Sequence, residues 1–351
     1  MAEQFGKIDL PFFEDSIFQH AGAKRTEVLA GPAFGVDVAL IRLPHGLAMA
    51  TTSDPLSLIP SLGLAESAWL SVHLMANDMA TTGLAPQYGQ FVLNLPPSLH
   101  KQDFKTYWQY IDHYCKEIGV AITGGHTGFA EGQYSTIAGG GTFTTVALES
   151  DFRLSSYAEV GDVLLMTKEC ALSSTAILAL SFPEAVKNKI GKERQQAACD
   201  AFYKTSSLQD ALIAVAGDKH RKQVTAMHDV TEGGVVGAAY EMAVAAGIGI
   251  EIYDDKLPIG EVHQAVCEIF DLDPRYCIGA GAMLIACKAE AKQPVLTRLE
   301  QHHIRCTEIG VFTEADQGLK LVSDDGIKPL EYQAIDPYWE AFAQALKRGV
   351  K

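Results

Sequence analysis

No Cys-x-x-Cys pair occurs in this sequence, and its seven cysteines are an odd number. The absence excludes the paired spacing of a structural zinc site and argues against a closed disulfide frame. Reduced thiols in a cytoplasmic protein are expected instead. No apolar run is long enough to span a bilayer. No basic stretch stands out against a formal net charge of −15, so neither general nucleic-acid binding nor attachment to an anionic membrane is expected. The opening residues, MAEQFGKIDLPFFEDS, contain acidic groups and lack the cationic start and apolar centre of a signal peptide. Low-complexity segments and short-period repeats are also missing.

What is present is an apolar-rich chain of 351 residues, 48% hydrophobic, which is long for one core and suggests two domains. Its acidity does not exclude ATP, because Mg²⁺, Gly-rich backbone and a few cationic side chains can offset the global field locally. The most informative stretch is Ala65–Gly83, AESAWLSVHLMANDMATTG. Leu64, Ala68, Val72, Met75 and Met79 recur at spacings of three and four, which predicts a helix with an apolar stripe. Asn77-Asp78 interrupts that stripe, and a buried carboxylate there needs a cation or several donors. The alternative is an Asp on the one wet face of the helix.

In chain order, the pattern predicts a short helix near Phe13–His20, a strand over Val36–Leu43 and a second over Leu47–Ala50, closed by a Thr51–Pro55 turn. A strand over Tyr88–Leu95 and a helix over Phe104–Ile118 follow. A strand over Val120–Thr123 runs into a Gly124-Gly125-His126-Thr127 turn, with a loop at Gly128–Gln133. Tyr134–Leu148 is strand-like but contains Gly139-Gly140-Gly141, which suggests a bulge or the close approach of a backbone or ligand. The expected division is a leader over 1–30, a first domain over 31–148, a linker over 149–161 and a second domain over 162–351. The second domain again mixes strands and helices, including one long helix over Lys192–Ala216 and a strand over Val224–Met227 that leads into His228–Gly234.

Asp37, Asp54, Asp78 and Asp229 lie beside apolar strands or inside an apolar helix. Carboxylates on separate elements suit one or two hard cations on a polyphosphate, whereas singly they suit caps and turns. Gly124 and Gly125 free backbone N–H groups for an anion, and Thr127 adds a hydroxyl; a tight turn is the plain reading. His126 is a ligand contact or a hydrogen-bonded structural residue. Asp229, Thr231 and Gly233-Gly234 repeat the scheme before a helix, whose start attracts phosphate. Lys168 follows a strand and either reaches a phosphate as a point charge or is solvated. Glu232 is an acid/base group or part of a capping turn. No cysteine forms an evident couple with histidine.

Seven strings in order then become recognisable: GVDVALI (Gly35–Ile41), TTSDP (Thr51–Pro55), HLMANDMATTGLAP (His73–Pro86), ITGGHTG (Ile122–Gly128), MTKECALSSTAILA (Met166–Ala179), MHDVTEGGVVGAAYEMA (Met227–Ala243) and GAMLIA (Gly281–Ala286). The chain resembles the superfamily of aminoimidazole ribonucleotide synthase, thiamine monophosphate kinase, selenophosphate synthetase and the hydrogenase-maturation protein HypE, and HypE-like proteins most. The resemblance implies an α+β, two-domain PurM-like fold. Its N-terminal domains pair into a strand-lined barrel in a homodimer, and an α+β C-terminal domain flanks it. It also implies ATP with Mg²⁺ ligated by Asp37, Asp54, Asp78 and Asp229. Asn77, Gly124, Gly125, Thr127, Lys168 and Thr231 join the nucleotide site, and Asp78, His126 and Glu232 are candidates for the chemistry. The activity implied is phosphoryl transfer to, or ATP-driven activation of, an amide or acid group on a small or protein-borne substrate. A non-catalytic nucleotide-binding homodimeric scaffold and a small-molecule kinase are the rival readings.

Three departures qualify the resemblance. HypE proper ends in a tail with a terminal Cys, whereas the last Cys here is Cys306, so its cyanide-forming reaction in the usual form is not expected. One acidic residue, Asp37, stands where relatives often have two. The loop Cys170–Ser174 lacks the glycine that relatives carry, and looser phosphate holding is expected there.

Overall fold

The structure is a computed structural model describing residues 10–130, 137–333 and 335–351. Its first half runs α1 (Leu10–Ser16), β1 (Val28–Ala30), β2 (Ala39–Arg42), β3 (Leu47–Ser57), α2 (Leu64–Ala80), β4 (Tyr88–Leu95), α3 (Lys101–Glu117), β5 (Ala121–Phe129) and β6 (Ile137–Leu148). The second runs β7 (Val163–Thr167), α4 (Leu172–Ser181), α5 (Pro183–Ile190), α6 (Lys192–Asp200), α7 (Leu208–Ala214), β8 (Val224–Asp229), α8 (Gly234–Ala246), β9 (Gly249–Tyr253), α9 (Glu261–Ile269), β10 (Met283–Cys287), α10 (Lys292–Gln301), β11 (Cys306–Thr313), β12 (Leu319–Ser323), β13 (Gly326–Pro329) and α11 (Pro337–Lys347). The first six strands form one sheet, ordered β1-β2-β3-β6-β4-β5, and the other seven a second, ordered β13-β12-β9-β11-β7-β10-β8. Neither sheet closes into a barrel among the described residues. Part of the loop expected at Gly128–Gln133 lies outside them.

Strict alternation builds the first sheet. Phe91, Leu93 and Leu95 of β4 are buried, while Tyr88, Gln90, Val92 and Asn94 face out. The inner face packs on α2, and Phe91 meets Trp108 of α3 edge to face. The outer face carries exposed Val28, Tyr88, Val92 and Leu148.

Several expected turns are strand. β3 continues through Thr51–Pro55, with Asp54 opposite Gly141 and Pro55 opposite Gly140 of β6. Gly124–Thr127 lies mid-strand in β5, which runs parallel to β4 with Gly125 beside Phe91 and His126 beside Val92. Gly125 has φ +142°, and a Cβ there would collide with the Phe91 carbonyl oxygen. A Cβ on Gly141 would lie 2.5 Å from Met75 Sδ of α2. These glycines therefore serve close packing of strands and helix. The expected strand over Val36–Leu43 shortens to β2, leaving Asp37 in the segment before it.

The long helix expected over Lys192–Ala216 is broken at Thr205–Ser207. The break has a purpose in the fold. Trp69, His73 and Asn77 lie four apart on one face of α2. Trp69 Nε1 donates to Thr205 Oγ1 at 3.0 Å, and His73 Nδ1 lies 2.9 Å from Ser206 Oγ. Asn77 Nδ2 donates to the Thr205 carbonyl at 3.0 Å, and its Oδ1 accepts from Ser207 N–H at 2.7 Å. The predicted central helix thus grips the second half of the chain by one tripeptide.

Candidate functional site

One residue beyond Asn77, Asp78 turns to a different neighbourhood. Thr52 of β3 donates its hydroxyl to Asp78 Oδ2 at 2.8 Å. Asp54 follows Thr52 at the next inward position of β3. Asp37 precedes β2, and Asp229 ends β8 in the other sheet. Burial raises the Asp78 carboxyl well above the usual range, and the charges of Asp229, Asp54 and Asp37 raise it further against the Thr52 hydrogen bond. Carboxylates from four separate segments therefore act on one another electrostatically, with Asp78 feeling the other three. Asp37, Asp54 and Asp78 are each partly buried as residues, and Asp229 is buried.

Sequence reasoning missed the histidine that braces this cluster. His228 Nδ1 lies 2.7 Å from Asp37 Oδ2 and 3.0 Å from Ser155 Oγ, and its Nε2 lies 3.1 Å from Glu241 Oε2. Tyr332 donates to the other Glu241 oxygen at 3.1 Å. Burial opposes a charge on His228, yet Asp37 and then Glu241 raise its proton affinity well above the ordinary value. As an imidazolium it donates to a carboxylate on each side. Ligand atoms of Asp37, His228 and Asp229 all lie within 4.8 Å of one another. The signal was in the sequence, since His228 directly precedes Asp229 in Met-His-Asp.

Other expected site residues lie elsewhere. His126 shares the outer face of the first sheet with Val92, opposite the face that carries Thr52 and Asp54. Gly124 and Thr127 are exposed on the edge strand, and Gly125 is spent on packing. Asn77 is occupied by Thr205 and Ser207. Lys168 has each of its three donors engaged, with Asp210 Oδ2 at 2.9 Å and the Ser206 and Gly281 carbonyls at 2.7 Å. The start of α8 is capped from within the protein: Gly233 N–H donates to Asp336 Oδ2 at 2.8 Å, Gly234 N–H to Thr231 O at 3.2 Å and Val236 N–H to Arg275 O at 3.3 Å. Glu232 acts electrostatically on Asp336 and is not among the main charges felt by Asp78. The start of α4 is filled by the Ile278 carbonyl, which accepts from Ser174 N–H at 3.2 Å and from the hydroxyls of Ser173 and Ser174. Ala171 before it takes φ +54°, the conformation that a glycine would adopt without strain.

All seven cysteines are free thiols, and burial pushes the Cys115 and Cys287 thiols up to about 12, far from a reactive thiolate. Among the described residues no helix is long and apolar enough to cross a membrane.

Comparison with known proteins fits this architecture. The N-terminal domain model of AIR synthase related proteins matches residues 35–145, and the C-terminal domain model matches residues 159–321. A putative hydrogenase expression/formation protein of Methanocaldococcus jannaschii is 26% identical, over 76% of each chain. Carbamoyl dehydratase HypE of Escherichia coli K12 is 27% identical, over 74% of each. Among solved structures, a hydrogenase maturation protein HypE in complex with ATP superposes with a TM-score of 0.67 at 18% identity, covering 93% of this chain and 95% of that one. A ThiL protein complexed with AMPPCP and TMP gives 0.69 at 19% identity, covering 86% and 91%. With both domain models matched in order along most of its length, the chain belongs to the AIR synthase related family, as a HypE-like protein of two-domain PurM-like fold.

Proposed function

We propose that the protein is an ATP- and Mg²⁺-dependent enzyme of HypE-like type, which activates an amide or acid group by phosphoryl transfer. The observation that carries this reading is that ligand atoms of Asp37, His228 and Asp229 lie within 4.8 Å of one another, with the buried Asp78 carboxyl close enough to feel Asp229, Asp54 and Asp37. Carboxylate oxygens are the donors that Mg²⁺ takes, and like charges so close call for a cation. These four residues would hold the ion, which would neutralise charge on a bound polyphosphate. Thr52 fixes the Asp78 carboxylate by its hydroxyl, and His228 fixes Asp37. Neither contact calls for a thiol nucleophile.

Two proposals accompany this one. The first is a homodimer formed through the outer face of the first sheet, which exposes Val28, Tyr88, Val92 and Leu148 and displays His126. An open apolar sheet face is a natural contact for a second copy. The second concerns the acceptor. The likeness to a ThiL protein complexed with AMPPCP and TMP favours a small-molecule kinase as the alternative. The internal capping of α4 and α8 favours a scaffold that binds nucleotide without turning it over.

The test is a pair of melting curves, without ligand and with saturating Mg²⁺-ATP, for wild type and Asp78→Asn. A ligand bound only by the native state at about a hundred times its Kd stabilises by about 2.7 kcal/mol. The wild type is expected to shift upward only with Mg²⁺ present, and the variant to lose most of that shift. A wild-type shift in Asp78→Asn would sink the ligand assignment. Formation of ADP by the wild type with Mg²⁺-ATP, dependent on an acceptor amide or acid, separates the enzyme from the scaffold.

A further inference from the structure

A polar cavity lies apart from the four aspartates, where the linker meets the loop before β8. It has a volume of about 400 Å³ and is lined by Ser156, Tyr157, Glu159, His220, Arg221 and Thr225 among others. Its chemistry runs against the rest of the chain. Too short to stand out against a net charge of −15, Lys219, His220, Arg221 and Lys222 are nevertheless four consecutive basic residues. The one carboxylate in the wall, Glu159, is ion-paired with Lys288 at 2.7 Å.

The loop is built to hold its shape. The buried Asp218 carboxylate accepts from the N–H groups of Lys222, Gln223 and Val224 at 2.9, 3.1 and 2.9 Å. It also pairs with the buried Arg153 of the linker at 2.8 Å. Between these anchors, His220 and Arg221 both take left-handed backbone, with φ +58° and +55°. Two successive side-chain-bearing residues in that region are strained, and such strain persists where the surroundings impose it, often at ligand clamps. The Arg221 guanidinium lies over the Tyr157 ring, 4.6 Å from its centroid, and Nη1 donates to the Phe152 carbonyl at 3.0 Å. Stacking and one fixed hydrogen bond pre-organise a planar donor fork, the geometry that recognises phosphate and carboxylate. Ser156 adds a hydroxyl, and a seam between two halves of a chain is a common place for a small-molecule site.

We propose that this cavity is a second binding site, for an oxyanion borne by a small molecule, with Arg221, His220 and Ser156 as its contacts. Phosphate and carboxylate share the required chemistry. The site is separate from the four aspartates. Ser155, the chain neighbour of Ser156, contacts His228 through its hydroxyl.

The experiment is calorimetric titration of the whole protein in metal-free buffer at constant ionic strength, with inorganic phosphate in one arm and citrate in the other. Without metal, the acidic cluster repels both probes. One saturable site per chain is expected for phosphate, for citrate, or for both, and the stronger arm identifies the ligand class. Arg221→Gln and Ser156→Asp are each expected to weaken that binding at least tenfold, whereas Asp78→Asn leaves it unchanged. Arg221→Gln loses the Phe152 contact, so a melting curve checks that it is folded; Ser156→Asp leaves that contact in place. Absence of saturable binding in both arms, or wild-type affinity in either cavity variant, overturns the proposal.

Discussion

Asn77 and Asp78 are neighbours in sequence with opposite tasks, and their variants should behave in opposite ways. Asn77→Ala strands a buried carbonyl of Thr205 and a buried N–H of Ser207. An unsatisfied buried group costs about 1–3 kcal/mol, so a loss of about 2–4 kcal/mol in denaturant stability is expected. Asp78→Asn removes one of four like charges and should leave the ligand-free protein neutral or slightly stabilised. His73 makes a prediction of its own. It stacks on Trp69 and is buried, which pushes its pKa down to about 3 from an ordinary 6.5. Below the ordinary value the unfolded chain binds a proton that the native protein refuses. The His73 contribution is therefore complete above pH 6.5 and falls as the pH drops toward 3, by at most about 1.4 kcal/mol per pH unit. Urea midpoints between about pH 7 and pH 5 should show this slope, and His73→Phe should flatten it. At this scale the four aspartates were legible, because a carboxylate in an apolar stretch needs a reason. The roles of Asn77 and Lys168 were not, because their partners lie far away in the sequence. His228 was passed over because Asp229 beside it drew the reading.

Among elements, glycine was the hardest residue to read. A Gly-Gly pair after an apolar strand looks the same whether it cradles an anion or lets two strands press together. Only the position of β4 decides for β5. The two glycines can be told apart experimentally. A Cβ on Gly124 meets nothing within 4 Å, whereas one on Gly125 collides with the Phe91 backbone. Gly124→Ala should change stability by no more than about 0.5 kcal/mol, and Gly125→Ala should cost at least about 2 kcal/mol. Thermal melts of both variants check this. A Gly124→Ala protein with native stability but no response to Mg²⁺-ATP would restore the anion-cradle reading. Alternation made β4 legible almost to the residue. The strand β3 was cut short in the reading because Thr51–Pro55 is turn-like in composition, while its pairing with a glycine-rich partner keeps it extended.

At the scale of the molecule, length and motif order suggested two domains, but the seam between them was invisible. The largest apolar core joins Leu40, Met75 and Phe91 of the first half to Leu165, Met227 and Ile285 of the second. Buried Arg153 of the linker donates to the Val224 carbonyl and pairs with Asp218. Such continuity predicts one cooperative unfolding transition in calorimetry rather than two. Two resolved transitions would mean that the halves are stable apart. Light scattering at micromolar concentration should give the mass of a dimer, and a monomer would count against use of the outer sheet face.

The grip of α2 on Thr205–Ser207 also bears on inheritance. Its hydrogen bonds join residues 128 to 136 positions apart, on opposite sides of the linker. A crossover at the linker between two diverged relatives would pair the helix of one with the tripeptide of the other. Trp69 and His73 meet the side chains of Thr205 and Ser206 and are expected to vary in step with them, whereas Asn77 holds only backbone atoms and is indifferent to the residues that supply them. Only a crossover between Trp69 and Ser207 separates the partners, and a segment that spans both exchanges them together.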